Sequence, residues 1–499
     1  MLYNSTLDRN SKVHSAQAIA VGIAADGGLF VPESIPHYDM DKLKSLQHLD
    51  YKALAKVIFR DYLDDFTDSE IADCVENAYT SDKFGSDNPT PISSCNYNGR
   101  EVNILELWHG PTAAFKDMAL QILPHLLTKS LRKTQGDNKA VILVATSGDT
   151  GKAALEGFKD VDGTEIIVFY PENGVSPMQL RQMNTQEGKN VNVCAIKGNF
   201  DDAQRGVKTI FTDSEIIARL RENNMLFSSA NSINWGRLLP QIVYYFHAYF
   251  SLVRSEKIKL GDKVNITVPT GNFGNILASY YACMMGLPVN RFICASNSNN
   301  VLTDFIETGV YDRNRKFYTT ASPSMDILIS SNLERFLYHI SGEDDKKIAY
   351  WMQQLKSTGK YEVSEDVKTK IKTCFFGGYC DDEGTKRTIK RMYDESGYLC
   401  DTHTAVAVDV YDKYVQKTGD DTPVIIASTA SPYKFCRSVL EALGKPNTDD
   451  EFEMVSILSE LTSTVPPTAI SGLKDKKQRF NSSVEPDSMA EFITAHLGV

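Results

Sequence analysis

The residues best suited to chemistry fall in four short segments, and the first of them carries a lysine. Glu106-Leu107-Trp108-His109-Gly110-Pro111-Thr112-Ala113-Ala114-Phe115-Lys116-Asp117 runs into an apolar-periodic stretch expected to be helical from Met118 to about Leu131. Lys116 then stands at a helix start, where the dipole disfavours positive charge and lowers an amine's pKa. An amine so depressed is the better nucleophile toward an aldehyde. The bland alternative is a solvated lysine paired with its neighbour Asp117.

The other three segments are turns in which a β-like run gives way to a helical one. They read Thr146-Ser147-Gly148-Asp149-Thr150-Gly151-Lys152, Pro269-Thr270-Gly271-Asn272-Phe273-Gly274-Asn275 and Ser428-Thr429-Ala430-Ser431-Pro432-Tyr433-Lys434. Each puts small or hydroxylated residues at a helix start, where backbone N–H groups and the positive dipole end can hold an anion. One such turn alone is as well explained by a tight bend. Three together, at the carboxyl ends of strands in open α/β sheets, imply one crevice with several anion subsites. The first turn is not a nucleotide P-loop, because Thr146 and Ala153 stand where that motif needs Gly and Ser or Thr. No G-x-G-x-x-G follows the strand before the second, so dinucleotide binding is unsupported.

The elements that must position these turns form an α/β pattern. The clearest strands are Val141 to Ala145, Ile166 to Tyr170, Val264 to Val268, Phe292 to Ala295 and Val424 to Ala427. Several run continuously apolar, as strands covered on both faces do. The expected fold is α/β: two open, twisted, mostly parallel sheets with helices on both faces, a small N-terminal domain and a helical insertion. The N-terminal domain takes residues 1–90, with helical patterns at Lys52 to Tyr62 and Ser69 to Ala78 and a turn at Ala25 to Gly28. A catalytic region in two subdomains takes 91–330 and 400–465. The insertion takes 331–399, with Gly377-Gly378 as punctuation, and a C-terminal segment takes 466–499.

Composition narrows the function. A net charge of −11 argues against nucleic acid or an anionic membrane as partner. The nine cysteines form no C-x-x-C pair and are read as free thiols in a reducing cytoplasm, with no metal site. No leader pattern and no uncharged stretch of membrane-spanning length is evident.

Taken together, His109-Gly110-Pro111-Thr112-x-x-Phe115-Lys116-Asp117, Thr146 to Gly151, Pro269 to Asn275 and Ser428 to Phe435 resemble the threonine synthases, a family of the tryptophan-synthase-β type of pyridoxal phosphate enzymes. Tyr3 to Thr6, Gly27 to Pro32, Lys197 to Asp202 and Ser232 to Arg237 are similar to the family's longer, bacterial and fungal, branch.

The resemblance implies pyridoxal 5'-phosphate as cofactor, held by Lys116 as a Schiff base. It implies Gly271, Asn272, Phe273, Gly274 and Asn275 at the cofactor phosphate and the Thr429 hydroxyl at the pyridine nitrogen. A hydroxyl there cannot keep that nitrogen firmly protonated, which makes a tempered electron sink. Ser147, Gly148, Asp149 and Thr150 would receive the substrate carboxylate. Relatives with other activities often have Asn where Asp149 stands, so this carboxylate must be protonated or turned aside. The implied reaction converts O-phospho-L-homoserine and water to L-threonine and phosphate. Its substrate phosphate needs a few convergent donors, for which Arg237 and Lys197 are the charged candidates and Asn234 and Ser232 the neutral ones. The competing role for Arg237 is a structural one at the start of the apolar Leu238 to Phe250 helix, and for His109 the bracing of the Lys116 segment. Rival activities are a pyridoxal phosphate dehydratase of serine or threonine, an amino-alcohol phospholyase, or a noncatalytic homologue that binds a metabolite. A monomer or small homo-oligomer in the cytoplasm is expected.

Overall fold

The chain opens on β1 (Leu2–Ser5), which is flanked in an antiparallel sheet by β2 (Lys12–His14) and β3 (Phe30–Pro32). The computed structural model describes every residue except Ser147 and Gly174. Around the small sheet lie the helices Ser15–Val21, Tyr51–Tyr62 and Asp68–Ala78. The last of these starts where Thr67 and Glu70 form a reciprocal capping box, which satisfies two orphan N–H groups.

The main body follows in β4 (Ile92–Tyr97), β5 (Arg100–Glu106), β6 (Lys139–Ala145), β7 (Thr164–Pro171), β8 (Val191–Ile196) and β9 (Met225–Ser228). It continues in β10 (Val264–Pro269), β11 (Val289–Ser296), the short pair β12 (Val310–Asp312) and β13 (Lys360–Glu362), β14 (Phe375–Tyr379), β15 (Val424–Ser428) and β16 (Ser482–Val484). Two larger sheets result. One is wholly parallel in the order β16-β8-β7-β6-β9. The other runs β14-β11-β10-β15-β5-β4 and is parallel except for the β4–β5 hairpin. That hairpin turns at Asn98-Gly99, both at positive φ (53° and 73°), as a tight two-residue turn requires.

The strands expected from apolar runs all form, and the middle of β6, Val141 to Val144, is at most 1% exposed. The region expected as a helical insertion departs from the expectation. It carries the helices Leu333–Ile340, Asp345–Thr358, Glu365–Cys374 and Asp382–Ser396, but it also supplies β14, which extends the six-stranded sheet beside β11. Gly377 and Gly378 are therefore strand residues. A Cβ on Gly377 would lie 3.0 Å from the Thr303 Cα, and one on Gly378 would lie 2.7 Å from a Val410 methyl, so side chains there would push away helices on both faces.

One helix, Trp235–Arg254, is apolar nearly all round and accordingly lies in the core. It packs on Tyr51–Tyr62 of the N-terminal unit, on Gly274–Met284 and on the short helix after Lys116. Its first residue, Trp235, meets Tyr3, Tyr62 and Tyr281 with ring centroids 5.3–5.5 Å apart, contacts worth about 0.5–1.5 kcal/mol each beyond area burial. Among the described residues no helix is long and apolar enough to cross a membrane.

Candidate active site

Strand order decides which turns meet. Strands β10, β15 and β5 are neighbours, so the segments leaving Pro269, Ser428 and Glu106 emerge side by side at their carboxyl ends. The Lys116 segment is then tied to the segment after β15: the N–H of Leu107 donates to the Ser428 carbonyl (3.0 Å), that of Phe115 to Thr429 (2.8 Å), and that of Ser431 back to Ala113 (3.1 Å). Lys116 and Thr429 are brought together by backbone pairing.

Lys116 caps a helix of only four residues, Asp117–Leu120, and the chain restarts as Leu123–Gln135 with Pro124 in its first turn. The single expected helix is thus two, because proline fits a first turn and not an interior. Burial pulls the Lys116 amine down to about 8; Asp149 opposes the change, and the cations Lys434 and Arg237 add to it. Asp117 is not its partner. That carboxylate accepts from the Thr112 N–H (2.8 Å) and hydroxyl (2.7 Å) and braces the loop from within.

Asp149 reaches the site from the other sheet, as the first residue of the helix Asp149–Phe158 after β6. Gly148 before it has φ 146°, and a Cβ there would collide with the Gln179 amide, which itself donates to Asp149 (2.8 Å). The carboxylate lies 2.6 Å from the Lys434 ammonium and 3.8 Å from that of Lys116. These cations hold it ionised well below the usual carboxylate range, although burial pushes the other way. The carboxylate is ion-paired to Lys434. Thr150 follows, half-buried in the helix's first turn, while Ser147 lies outside the described residues.

The third turn enters the helix Gly274–Met284 with Phe273 in the left-handed region at φ 61°. A Cβ on Gly271 would sit 2.8 Å from the Ser324 carbonyl, so only glycine lets the two backbones approach. The Asn272 carbonyl accepts from Asn332 (3.1 Å from its backbone, 3.2 Å from its side chain). Asn275 gives its amide oxygen to the hydroxyls of Tyr244 and Tyr245, and its buried amide nitrogen has no partner.

Arg237, in the first turn of Trp235–Arg254, is buried; it donates to the Ala230 carbonyl (2.6 Å) and leaves its Nε without a partner. Burial pulls this guanidinium down to about 10. The other expected phosphate donors stand elsewhere. Lys197 is half exposed and pairs with Glu485 (3.2 Å). Asn234 is spent on its own helix cap (2.8 Å to the Gly236 N–H) and on the carbonyls of Ile19 (2.9 Å) and Ser229 (3.2 Å). His109 stacks on Trp108 and pairs with Glu106 at 2.7 Å, which is a bracing position.

Four side chains of the site escaped the sequence reading. Lys434 lay in plain view within the third turn, and its signal was a second lysine in a loop bound for the crevice. Gln179 and Ser324 carried none. The Ser324 hydroxyl donates to Asp149 (3.3 Å) and accepts from Lys116 (3.5 Å), and its backbone N–H donates to Nε2 of His403 (3.2 Å). The fourth, His403, is oriented by Asp401 at 2.8 Å, an arrangement that fixes the proton on Nδ1.

The comparisons with known proteins agree along the chain. Residues 2–79 match the family described as Threonine synthase N terminus, 85–365 that of Pyridoxal-phosphate dependent enzyme, and 404–493 that of Threonine synthase, C-terminal. Threonine synthase-like 1 of Homo sapiens is 40% identical over 438 residues, which cover 86% of this chain and 58% of that protein, so the chain spans less than two thirds of that relative's length. Threonine synthase of Saccharomyces cerevisiae is 38% identical over 468 residues, 89% of each chain. The solved structure of PLP-bound threonine synthase from Brucella melitensis superposes with a TM-score of 0.87 at 35% identity, covering 99% of both chains. Common domain order, sequence and architecture place this chain in the threonine synthase family of pyridoxal-phosphate-dependent enzymes.

Proposed function

We propose that the chain converts O-phospho-L-homoserine and water to L-threonine and inorganic phosphate with pyridoxal 5'-phosphate. The observation that carries the proposal is Lys116 itself, largely enclosed where the turns meet, tied by backbone pairing to the Thr429 segment and 3.8 Å from Asp149 of the other sheet. The crevice fits the cofactor on independent grounds. The Asn275 amide nitrogen and the Arg237 Nε, both at helix starts beside the crevice, are buried donors without protein partners and so have hydrogen bonds to offer an anion.

In this reading Lys116 holds the cofactor through its amine. Gly271, Asn272, Phe273, Gly274 and Asn275 take its phosphate at the start of an 11-residue helix, and Thr429 faces its ring nitrogen. The bound cofactor supplies an electron sink for negative charge that develops on the substrate beside its amino group. Lys116 would take the proton from Cα and serve as the base and acid for later transfers at Cβ and Cγ. Removal of a Cβ proton lets phosphate leave from Cγ; a proton is then delivered to Cγ, water adds at Cβ, and a proton returns to Cα. Gly148 and Thr150, with Ser147, hold the substrate carboxylate at the N-terminus of the Asp149 helix. Arg237 takes the leaving phosphate, its guanidinium already stripped of water and free of any carboxylate.

The chain divides, in the same reading, into an N-terminal domain at 1–90, a catalytic region at 91–330 and 400–465, the helix-rich 331–399 that also feeds the sheet, and a C-terminal segment at 466–499. The substrate is a small molecule, the compartment the cytoplasm, and the assembly a monomer or small homo-oligomer. Incubation of the purified protein with O-phospho-L-homoserine and pyridoxal phosphate tests the proposal. Threonine and phosphate in equal amounts support it; a 2-oxo acid or aldehyde with ammonia assigns the chain to a dehydratase or phospholyase instead.

A further inference from the structure

Two ammonium groups, that of Lys434 buried and that of Lys116 largely so, share one carboxylate unequally. Asp149 is 2.6 Å from Lys434, whose side chain is wholly buried, and 3.8 Å from Lys116. Every closer partner of the carboxylate is a group other than Lys116: Lys434 and the Gln179 amide (2.8 Å) on one oxygen, the Ser324 hydroxyl (3.3 Å) on the other. Lys434 is itself held in place. It lies on the short turn Pro432–Phe435, its ammonium donates to the Thr112 carbonyl (3.1 Å), and the Ser431 N–H beside that turn donates to Ala113 (3.1 Å) in the Lys116 segment. The tie that positions Lys116 positions Lys434 as well.

A carboxylate free to approach Lys116 would form its closest ion pair there and keep the ammonium protonated, and a protonated amine is no nucleophile. We propose that Lys434 is a positioning residue of the active site, whose ammonium holds the Asp149 carboxylate away from Lys116 and so leaves the Lys116 amine free to combine with an aldehyde. The assignment rests on the reading that Lys116 bears the cofactor. It also gives Asp149 a purpose: with Lys434 it forms a neutral pair where a lone carboxylate would face the cofactor. The charged groups around Lys116 are Asp149, Lys434, Arg237 and Asp117, and of these Lys434 alone makes the close salt bridge to Asp149.

The test follows the absorbance of the protein-bound imine against pH in purified full-length protein loaded with pyridoxal phosphate. Lys434→Gln keeps a hydrogen-bond donor for Asp149 but loses the charge, and its midpoint is expected to rise by about one pH unit or more, the usual effect of an unshared carboxylate at this range. Lys434→Arg keeps the charge and is expected to keep the wild-type midpoint. In Asp149→Asn/Lys434→Gln no carboxylate is left to release, so the midpoint should fall at or below the wild-type value; this variant carries the test should the single one fail to fold. A Lys434→Gln midpoint equal to wild type overturns the inference, as does a double variant that rises as far as the single one. A wild-type protein with no imine absorbance overturns the underlying reading instead, and the two failures are distinct.

Discussion

Arg237 and Arg335 are both buried, and burial pulls both guanidiniums down to about 10, yet they face opposite circumstances. Arg335 has a protein partner for each of its three nitrogens. It donates from Nε to the Phe30 carbonyl of β3 (2.9 Å), from Nη1 to the Asn332 side chain (2.6 Å) and from Nη2 to the Ile233 carbonyl (2.6 Å). Asn332 in turn holds the Asn272 carbonyl, so one guanidinium joins the N-terminal unit, the turn before Arg237 and the turn before Asn275. Arg237 makes one bond to a carbonyl and leaves Nε unmet. A latch spends its donors on the protein, whereas a binding group keeps some in reserve. Lys116 and Asn275 belong with Arg237 by the same measure.

The largest effect is expected at Lys116. Lys116→Ala should abolish turnover and leave the denaturation midpoint at or above wild type, because a buried cation without a close partner is removed; retained turnover would refute the role given to it. Arg237→Gln should lower kcat/KM for the phosphorylated substrate by about two orders of magnitude, as loss of one partner from a desolvated charge pair does. Its stability should hardly change, and a large drop in denaturant midpoint would place Arg237 with the latch. Arg335→Met should do the reverse and cost about 3 kcal/mol of stability, since buried carbonyls left unpaired cost roughly 1–3 kcal/mol each. Urea unfolding of the two variants side by side separates the classes.

A fourth prediction concerns pH. The Lys116 amine is depressed from 10.5 to about 8, so it loses its proton as pH rises through about 8. The rate at which cofactor-free protein takes up pyridoxal phosphate should therefore climb about tenfold per pH unit below that point and level off above it. Stopped-flow uptake that keeps climbing beyond pH 10 would show an ordinary, solvated lysine. The smallest effect belongs to His109→Gln, expected to change kcat/KM by less than about tenfold because a hydrogen-bonded brace can be replaced by an amide.

Much of this was legible in the sequence, and the failures have physical causes. Continuous apolar runs announced β6, β7, β10, β11 and β15, because strands covered on both faces have no polar side to alternate. Strand β14 stayed hidden because Gly377-Gly378 reads as a break, while the reason for the glycines, helices pressed on both faces, exists only in three dimensions. Lys116 stood out by its motif, but burial beside Lys434 and Arg237, which lowers its pKa, left no local sign, because those residues lie far along the chain. Lys197 looked like a donor for the same reason that any lysine near a Gly-Asn turn does, and its pairing with Glu485, 288 positions away, gives no local sign.

The most direct test reduces the cofactor-loaded protein with borohydride, digests it and maps the pyridoxyl group by mass spectrometry. A single adduct is expected, on the peptide that contains Lys116. An adduct on Lys434, the other buried lysine of the crevice, or no adduct at all would contradict it.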